Sequence, residues 1–261
     1  MSDALDFDDE AVEWISRLYR TPSMTRRREF VRETLGLSPG DSVLSVGTGP
    51  GFEPRGLARA VGEGGLVHGV DASAAMLAAS RERCSGSPQV EFEAGEATAL
   101  PVPDGAFEKA TAVQVYEYVD DVDVAAAELH RALGPGGRAV VFDSDWDTAT
   151  FNAEDAARSA RVLRAYDAHC THPRLARTLR PTLSRAGFDV VEVAPYTHCE
   201  TAPDGTGGVV AELVRDFAAA RGGLPDGEAD AWFEDVQARG EAGEFFFSFS
   251  QYAFVVEKPD E

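Results

Sequence analysis

The stretch 43-VLSVGTGPGFEP-54 decides how the rest of the chain is interpreted. Its first residues form a short apolar run without polar alternation, which is typical of a parallel strand buried on both faces. Three glycines follow, Gly47, Gly49 and Gly51, and Pro54 fits the first turn of a helix. Glycine permits positive φ and has no Cβ, so a ligand can approach such a loop closely. At the carboxyl end of a first strand, this loop predicts a nucleotide site.

Strand and helix patterns alternate downstream of this stretch. Two helical patterns precede it, one over residues 8–20 and one that ends at Leu35. From the glycine loop to about residue 145, apolar runs alternate with amphipathic segments, which predicts a doubly wound parallel sheet. Further helical segments surround the last two strand patterns, which we expect to pair antiparallel at one edge of the sheet. The helices between those two strands would then form a cap.

The position of one acid narrows the type of nucleotide. Asp71 ends the second strand, 20 residues after Gly51, and a carboxylate there can accept both hydrogens of a ribose diol. A dinucleotide fingerprint requires a glycine at the position that Phe52 occupies. A nicotinamide oxidoreductase is therefore disfavoured.

The chain is strongly acidic. Its 45 Asp and Glu residues against 24 Lys and Arg give a formal net charge of −21, and the acids are scattered along all 261 residues. Such a surface repels nucleic acids and anionic lipids, so we expect neither as a partner. It also resembles the surfaces of proteins from halophilic organisms with a saline cytoplasm, although an ordinary acidic protein is the alternative.

Targeting and metal signals are missing from the sequence. The N-terminus is acidic, unlike a signal peptide, and no apolar run is long enough to span or insert into a membrane, so we expect a cytoplasmic protein. The three cysteines, Cys84, Cys170 and Cys199, are widely spaced. They predict reduced thiols rather than disulfides or a metal site.

Four segments in order resemble the class I S-adenosylmethionine-dependent methyltransferases, and within them the small-molecule group of ubiquinone and menaquinone methyltransferases (methyltransferase type 11 domain). They are VLSVGTGPG, VHGVDASAAML, EFEAGEATALPVPDGAFEKATAVQVYEYVDD and ELHRALGPGGRAVVFD, over residues 40 to 145. The resemblance implies a Rossmann-like α/β fold with a seven-stranded sheet, parallel except for the last strand. We expect a helical lid over residues 1–36, then one structural unit over 37–261 with a helical insertion at about 200–243.

The resemblance also implies an activity. S-adenosylmethionine would donate a methyl group to an O, N or C nucleophile of a small molecule, and S-adenosylhomocysteine would be the product. The alternative is a catalytically silent module that binds the cofactor and acts through partners. Arsenite, a substrate of relatives that bind it through cysteines, is disfavoured because no cysteine lies near the glycine loop. The acceptor and the choice between monomer and homodimer stay open.

Cofactor contacts follow from the resemblance position by position. The glycine loop would line the methionine portion, Asp71 would hold the ribose, and Gln114 would lie at the sulfonium end. One departure is Ser45, where many members have an acid that organises the amino group of the cofactor. The residues implied to bind the cofactor are Tyr19, Arg20, Gly47, Thr48, Gly49, Gly51, Asp71, Ala72, Met76, Gly95, Glu96, Ala97, Gln114 and Val115.

Catalytic residues are harder to predict, because methyl transfer depends mainly on alignment and needs a base only for a protonated nucleophile. The tyrosines of YEY could instead be packing residues at a helix start, and a histidine at a helix end can serve the helix dipole. Alternate residues of a strand face opposite sides, so at most one of Asp143 and Asp145 would reach a substrate. The catalytic candidates are Tyr116, Asp145, His169 and Tyr19, with Tyr118, Asp143, Trp146 and Tyr196 as further pocket candidates.

Overall fold

Seven strands form one sheet in the computed structural model, which describes residues 7–221 and 223–260. Residues 1–6 of the expected lid, residue 222 of the expected insertion, and residue 261 therefore lie outside the described residues. The strands are β1 (Ser42–Val46), β2 (Leu66–Asp71), β3 (Val90–Ala94), β4 (Phe107–Val113), β5 (Leu133–Phe151), β6 (Asp189–Glu200) and β7 (Phe247–Glu257).

The strand order is β3-β2-β1-β4-β5-β7-β6. Strands β1 to β5 pair in parallel, whereas β7 lies antiparallel between β5 and β6. This arrangement confirms the predicted Rossmann-like doubly wound sheet and the antiparallel pair at its edge. The order reverses between β1 and β4, so the carboxyl ends of these strands border the crevice in which such sheets bind ligands.

Helices cover both faces of the sheet. Several begin at a side-chain cap; for example, the Ser73 hydroxyl accepts a hydrogen bond from the Met76 amide at 3.2 Å. None of the described helices combines the length and apolar character that a transmembrane span requires. The helices are α1 (Asp9–Tyr19), α2 (Pro22–Leu35), α3 (Phe52–Val61), α4 (Ala74–Arg83), α5 (Val122–Ala132), α6 (Ala156–Tyr166), α7 (Ala176–Arg185), α8 (Thr206–Arg221) and α9 (Glu228–Glu241).

The N-terminal segment contains two helices with different roles. Helix α2 belongs to the layer that packs on the sheet, because Val31 and Leu35 are fully buried in a cluster with Val43 and Leu57. Helix α1 instead packs across α4, where Ile15 and other apolar residues meet Met76. Within the described part of the segment 1–36, Phe7 and α1 border the crevice, whereas α2 packs on the sheet.

Strand β5 extends further than its sequence pattern indicates. The apolar run predicts an end near Asp145, but pairing with β7 resumes at Thr150 and continues to Phe151 after an irregularity. This extension carries Phe151 into a cluster with Trp232 of α9 and Val214 of α8. Helices α6, α8 and α9 thus form a helical cap on one end of the sheet.

Candidate cofactor site and active site

The backbone conformation and close packing of the glycine loop disfavour residues with side chains. Gly47, Gly49 and Gly51 have φ values of 62°, 54° and 83°. A Cβ on Gly47 would lie 2.2 Å from Cγ2 of Val115, and one on Gly51 would lie 2.8 Å from Cα of Ser80. The loop is therefore pressed against two neighbouring segments, and Gly51 serves helix packing rather than the crevice.

Asp71 holds this loop in place. Its Oδ2 accepts a hydrogen bond from the Gly49 amide at 2.7 Å, and its Oδ1 accepts one from the Ser73 amide at 2.9 Å. Burial raises the pKa of the carboxyl, and the two amide hydrogen bonds oppose that effect. Each carboxylate oxygen has two acceptor sites, so Asp71 retains capacity for a diol.

A cavity of about 860 Å³ opens beside this loop at the carboxyl ends of β1, β2 and β4. Its size lies within the range of pockets that enclose small molecules and cofactors. The structure brings together eleven of the fourteen residues that the sequence suggested for the cofactor. They are Tyr19, Gly47, Gly49, Asp71, Ala72, Met76, Gly95, Glu96, Ala97, Gln114 and Val115.

The other three predicted cofactor residues lie elsewhere. Arg20 is exposed at the C-cap of α1, and Gly51 packs on α4. Thr48 lines a smaller adjoining cavity of about 30 Å³. Its hydroxyl is buried without a hydrogen-bond partner.

Helix α1 and the residues before it close one side of the main cavity. Phe7, Ile15 and Tyr19 are in its wall, and the Ser73 hydroxyl donates to the Phe7 carbonyl. Among the described residues of the 200–243 insertion, none is in the wall. The insertion contacts α1 from outside, for example through the ion pair between Arg17 and Glu212.

Two catalytic candidates are turned away from the cavity. The Tyr116 side chain is fully buried and its hydroxyl donates to the Ala125 carbonyl at 3.1 Å, so its role is to fix the turn onto α5. Asp145 accepts two hydrogen bonds from Arg177, at 2.7 and 2.9 Å, in a bidentate ion pair. Neither side chain is placed to meet a bound cofactor.

His169 is also outside the cavity wall. It is fully buried, its Nδ1 donates to the Tyr166 carbonyl at 2.7 Å, and its ring stacks on Tyr166 with centroids 4.0 Å apart. Burial lowers its pKa to about 4, so the imidazole is neutral at physiological pH with a free Nε2. The Trp146 ring is edge-on to it at 4.6 Å. These rings form an aromatic cluster beside the cavity.

Of the remaining candidates, the two that line the cavity are Tyr19 and Tyr118. Burial raises the pKa of Tyr118 well above its usual value, which keeps its hydroxyl protonated as a hydrogen-bond donor. Asp143 points inward, where its Oδ1 accepts from the Glu117 amide at 3.3 Å. Tyr196 packs against Phe30 and Phe142 instead.

The structure adds two features that the sequence reasoning missed. Gln114 is the only non-glycine residue with positive φ in the described ranges, at 53°, and its amide oxygen accepts from Arg27. Its amide nitrogen lies 3.5 Å from Glu117 Oε1. Burial raises the pKa of Glu117 to about 7. A charged residue inside the apolar run VQVYEYV was the one available signal for Glu117, whereas backbone strain at Gln114 has no sequence signature.

Parts of this chain are similar in sequence to known proteins. Residues 44–141 match the methyltransferase domain family. The chain is 32% identical over 256 residues to an uncharacterized 37.1 kDa protein in transposon TN4556 of Streptomyces fradiae, which covers 95% of this chain and 71% of that protein. It is 37% identical over 116 residues to a 2-phytyl-1,4-naphtoquinone methyltransferase of Thermosynechococcus vestitus, or 44% of this chain and 52% of that enzyme.

A solved structure extends the similarity to the whole fold. Phosphoethanolamine N-methyltransferase 2 of Haemonchus contortus, in complex with S-adenosyl-L-methionine, superposes with a TM-score of 0.62 at 17% identity. The match covers 98% of this chain and 60% of that one. At this identity the likeness concerns the fold alone, and the matches to quinone methyltransferases span about half of those enzymes.

Proposed function

Because the chain belongs to the class I S-adenosylmethionine-dependent methyltransferases, we propose that it transfers the cofactor's methyl group to an O, N or C nucleophile of a small molecule. The proposal rests on one observation: the glycine loop, Asp71 and Gln114 line the same cavity. S-adenosylhomocysteine is then the product.

The residues present fit S-adenosylmethionine. The loop at Gly47 has no room for a side chain, and the buried Thr48 hydroxyl has no hydrogen-bond partner among the described residues. Asp71 offers acceptors to the ribose, while Ala72 and Met76 give an apolar surface for the adenine. Gly95, Glu96 and Ala97 line the same wall, where they would meet the edge of the adenine. This set supports the proposed cofactor contacts.

The bound cofactor supplies an electrophilic methyl group together with its own leaving group. The chain therefore has to align the acceptor and exclude water. We infer that the acceptor binds near Gln114, which the resemblance places at the sulfonium end, with Tyr19 and Tyr118 as further polar residues of the same wall. Tyr118 donates a hydrogen bond there rather than accepting a proton, because its pKa is raised.

Charge and enclosure favour a small acceptor over a nucleic acid. The net charge of −21 leaves no excess of cations to neutralise phosphates. Residues of and before α1 also close one side of the cavity, which suits a molecule that enters it completely.

The test combines cofactor binding with turnover. Calorimetry with S-adenosylmethionine should show binding, and fractions of small-molecule extract that contain the acceptor should release S-adenosylhomocysteine. Gly47→Ala should weaken binding by at least about tenfold, because the new Cβ overlaps Val115 and φ is positive. Gly86→Ala adds a Cβ in open space and is the matched control. Binding without turnover in any fraction would favour the silent module, and the absence of binding would exclude both.

A further inference from the structure

The small cavity behind the glycine loop is lined by three buried charged side chains. Arg27 and Arg28 come from α2 and Glu53 comes from the first turn of α3. Their exposed fractions are 1%, 8% and 8%. Burial of a charge is costly unless it is paired, so each of these groups requires a partner.

The protein itself supplies incomplete partners. Arg27 donates to the amide oxygen of Gln114, and Arg28 donates to the Tyr19 carbonyl at 2.9 Å, both of which are neutral acceptors. Nε of Arg27 has no partner. Burial and the neighbouring Arg27 lower the pKa of Arg28 to about 10, and the nearby Glu53 carboxylate offsets this effect only in part.

The Glu53 carboxylate also lacks a complete set of hydrogen-bond partners. Its Oε2 forms an ion pair with Arg32 at 3.5 Å, at the limit of a hydrogen bond, and its buried Oε1 has no hydrogen-bond partner among the described residues. The hydroxyl of Thr48 is likewise unpartnered in the same wall. The compartment therefore presents unsatisfied donors and an unsatisfied acidic acceptor side by side.

The compartment adjoins the main cavity. Tyr19, Val46, Gly47, Gly49 and Val113 are in the walls of both. A ligand that fills the main cavity along the glycine loop can thus extend a short polar group toward the buried charges. The volume of about 30 Å³ leaves room for a small group only.

We propose that this compartment binds the zwitterionic amino-acid end of the cofactor, with its carboxylate at Arg27 and Arg28 and its ammonium at Glu53. The assignment rests on the proposed function. Guanidinium groups pair with carboxylates through strong charge-assisted hydrogen bonds, and a carboxylate is the natural partner of an ammonium. The carboxylate of the ligand would add an anionic acceptor beside two guanidinium groups whose hydrogen-bond acceptors in the protein are neutral.

This assignment also accounts for Ser45. That residue stands where many relatives have an acid, and it lines the same compartment as Glu53. A serine hydroxyl cannot neutralise an ammonium. Glu53, from a different element, supplies the negative charge that position 45 lacks.

The experiment compares two ligands on matched variants. S-adenosylhomocysteine has the amino-acid end, whereas 5′-methylthioadenosine keeps the adenosine and the thioether without it. Arg28→Met and Glu53→Gln should each weaken S-adenosylhomocysteine by about 10- to 100-fold, the range for a hydrogen bond to a charged group, and leave 5′-methylthioadenosine unchanged. Arg26→Met and Glu29→Gln, exposed positions on α2, are the controls and should change neither ligand.

A third ligand distinguishes the contribution of the ammonium from that of the carboxylate. Decarboxylated S-adenosylmethionine has the ammonium but no carboxylate, so Glu53→Gln should weaken it and Arg28→Met should not. Melting curves verify that each variant is folded. Equal loss of all three ligands, or no loss in either variant, would overturn the assignment. If the unmodified protein binds none of the three, the proposed function fails instead.

Discussion

Glu117 is a carboxyl group enclosed beneath the cavity floor. It is fully buried, its Oε2 has no hydrogen-bond partner, and Asp143 lies close by on β5. Burial is the main cause of its raised pKa, and burial together with the Glu117 carboxyl also raises the pKa of Asp143. The pair is therefore protonated to a higher pH than exposed acids are.

We predict that Glu117→Gln removes a pH-dependent part of the stability. The folded protein keeps the Glu117 proton up to about pH 7, whereas the unfolded chain releases it near pH 4.5. Glu117 therefore stabilises the fold fully below pH 4.5, and this contribution is lost as the pH rises to about 7. The difference in unfolding free energy between the unmodified protein and the variant should fall by up to about 3 kcal/mol across that window.

Denaturant unfolding at several pH values measures this difference. Comparison of the two proteins isolates Glu117 from His169, whose lowered pKa acts in the opposite direction between about pH 4 and 6.5. Glu29→Gln, at an exposed acid of α2, is the control. Parallel stability curves for Glu117→Gln and the unmodified protein would show that the buried carboxyl does not hold its proton.

Residues of the site differ in how far the sequence could predict them. The glycine loop and Asp71 are predictable because a strand end, a tight turn and a ribose acceptor occupy fixed positions along one β-α-β unit. Arg27 and Glu53 are not, because a charged residue in a helix is normally solvated and only the packing of α2 and α3 around the loop buries these two. Tyr116 was ambiguous because catalytic and packing tyrosines look alike in a sequence.

At the scale of elements, α1 is the part of the N-terminal segment that can be removed. Ile15 and Tyr19 line the cavity, whereas Val31 and Leu35 of α2 are fully buried under the sheet. A chain without residues 1–19 should keep its far-ultraviolet circular dichroism but bind S-adenosylhomocysteine at least about tenfold more weakly, because apolar cavity wall is lost.

Removal of residues 1–35 is the contrasting case. It strips α2 from the sheet and should abolish cooperative unfolding, because Val43 and Leu57 lose their covering layer. The two chains together test whether α1 acts as the lid. Full affinity in the chain without residues 1–19 would show that it does not.

The order of elements was largely predictable, but their extents and contacts were not. Alternation of strand-forming and amphipathic segments defines β1 to β5 and α3 to α5. The central strand β1 is buried almost throughout, whereas the edge strand β3 alternates apolar residues with exposed glutamates. The sequence pattern did not predict where β5 ends. Residues up to Phe151 stay extended because β7 pairs with them, and β7 lies about a hundred residues away in the chain.

At the scale of the whole molecule, acidic charge dominates. Several arginines are already engaged by more than one acid; Arg174, for example, lies 2.8 Å from Asp147 and also pairs with Asp167. The net charge of −21 leaves many carboxylates without cationic neighbours. Their mutual repulsion opposes compaction at low ionic strength.

We therefore predict that the melting temperature rises steeply between about 0.1 and 2 M KCl, because the Debye length falls to about 3 Å at 1 M. Cofactor binding should tolerate this salt, since it rests on short buried contacts. Neutral substitutions at the exposed acids Glu63, Glu82, Asp226 and Asp230 should reduce the gain. A melting temperature that is flat or falls with KCl would make the acidic surface incidental and remove the case for a saline cytoplasm.

The position of β7 has a consequence for how the chain is made. Strand β7 lies between β5 and β6, and in the part of the chain that the structure describes β6 pairs with no other strand. Because a ribosome adds residues from the N-terminus, β5 and β6 emerge long before β7 exists to join them. Until then each presents an unpaired edge to other nascent chains. The sheet thus closes by inserting its last-synthesised strand between two earlier ones, and the unfinished polypeptide exposes edges of β5 and β6 that β7 covers in the complete fold.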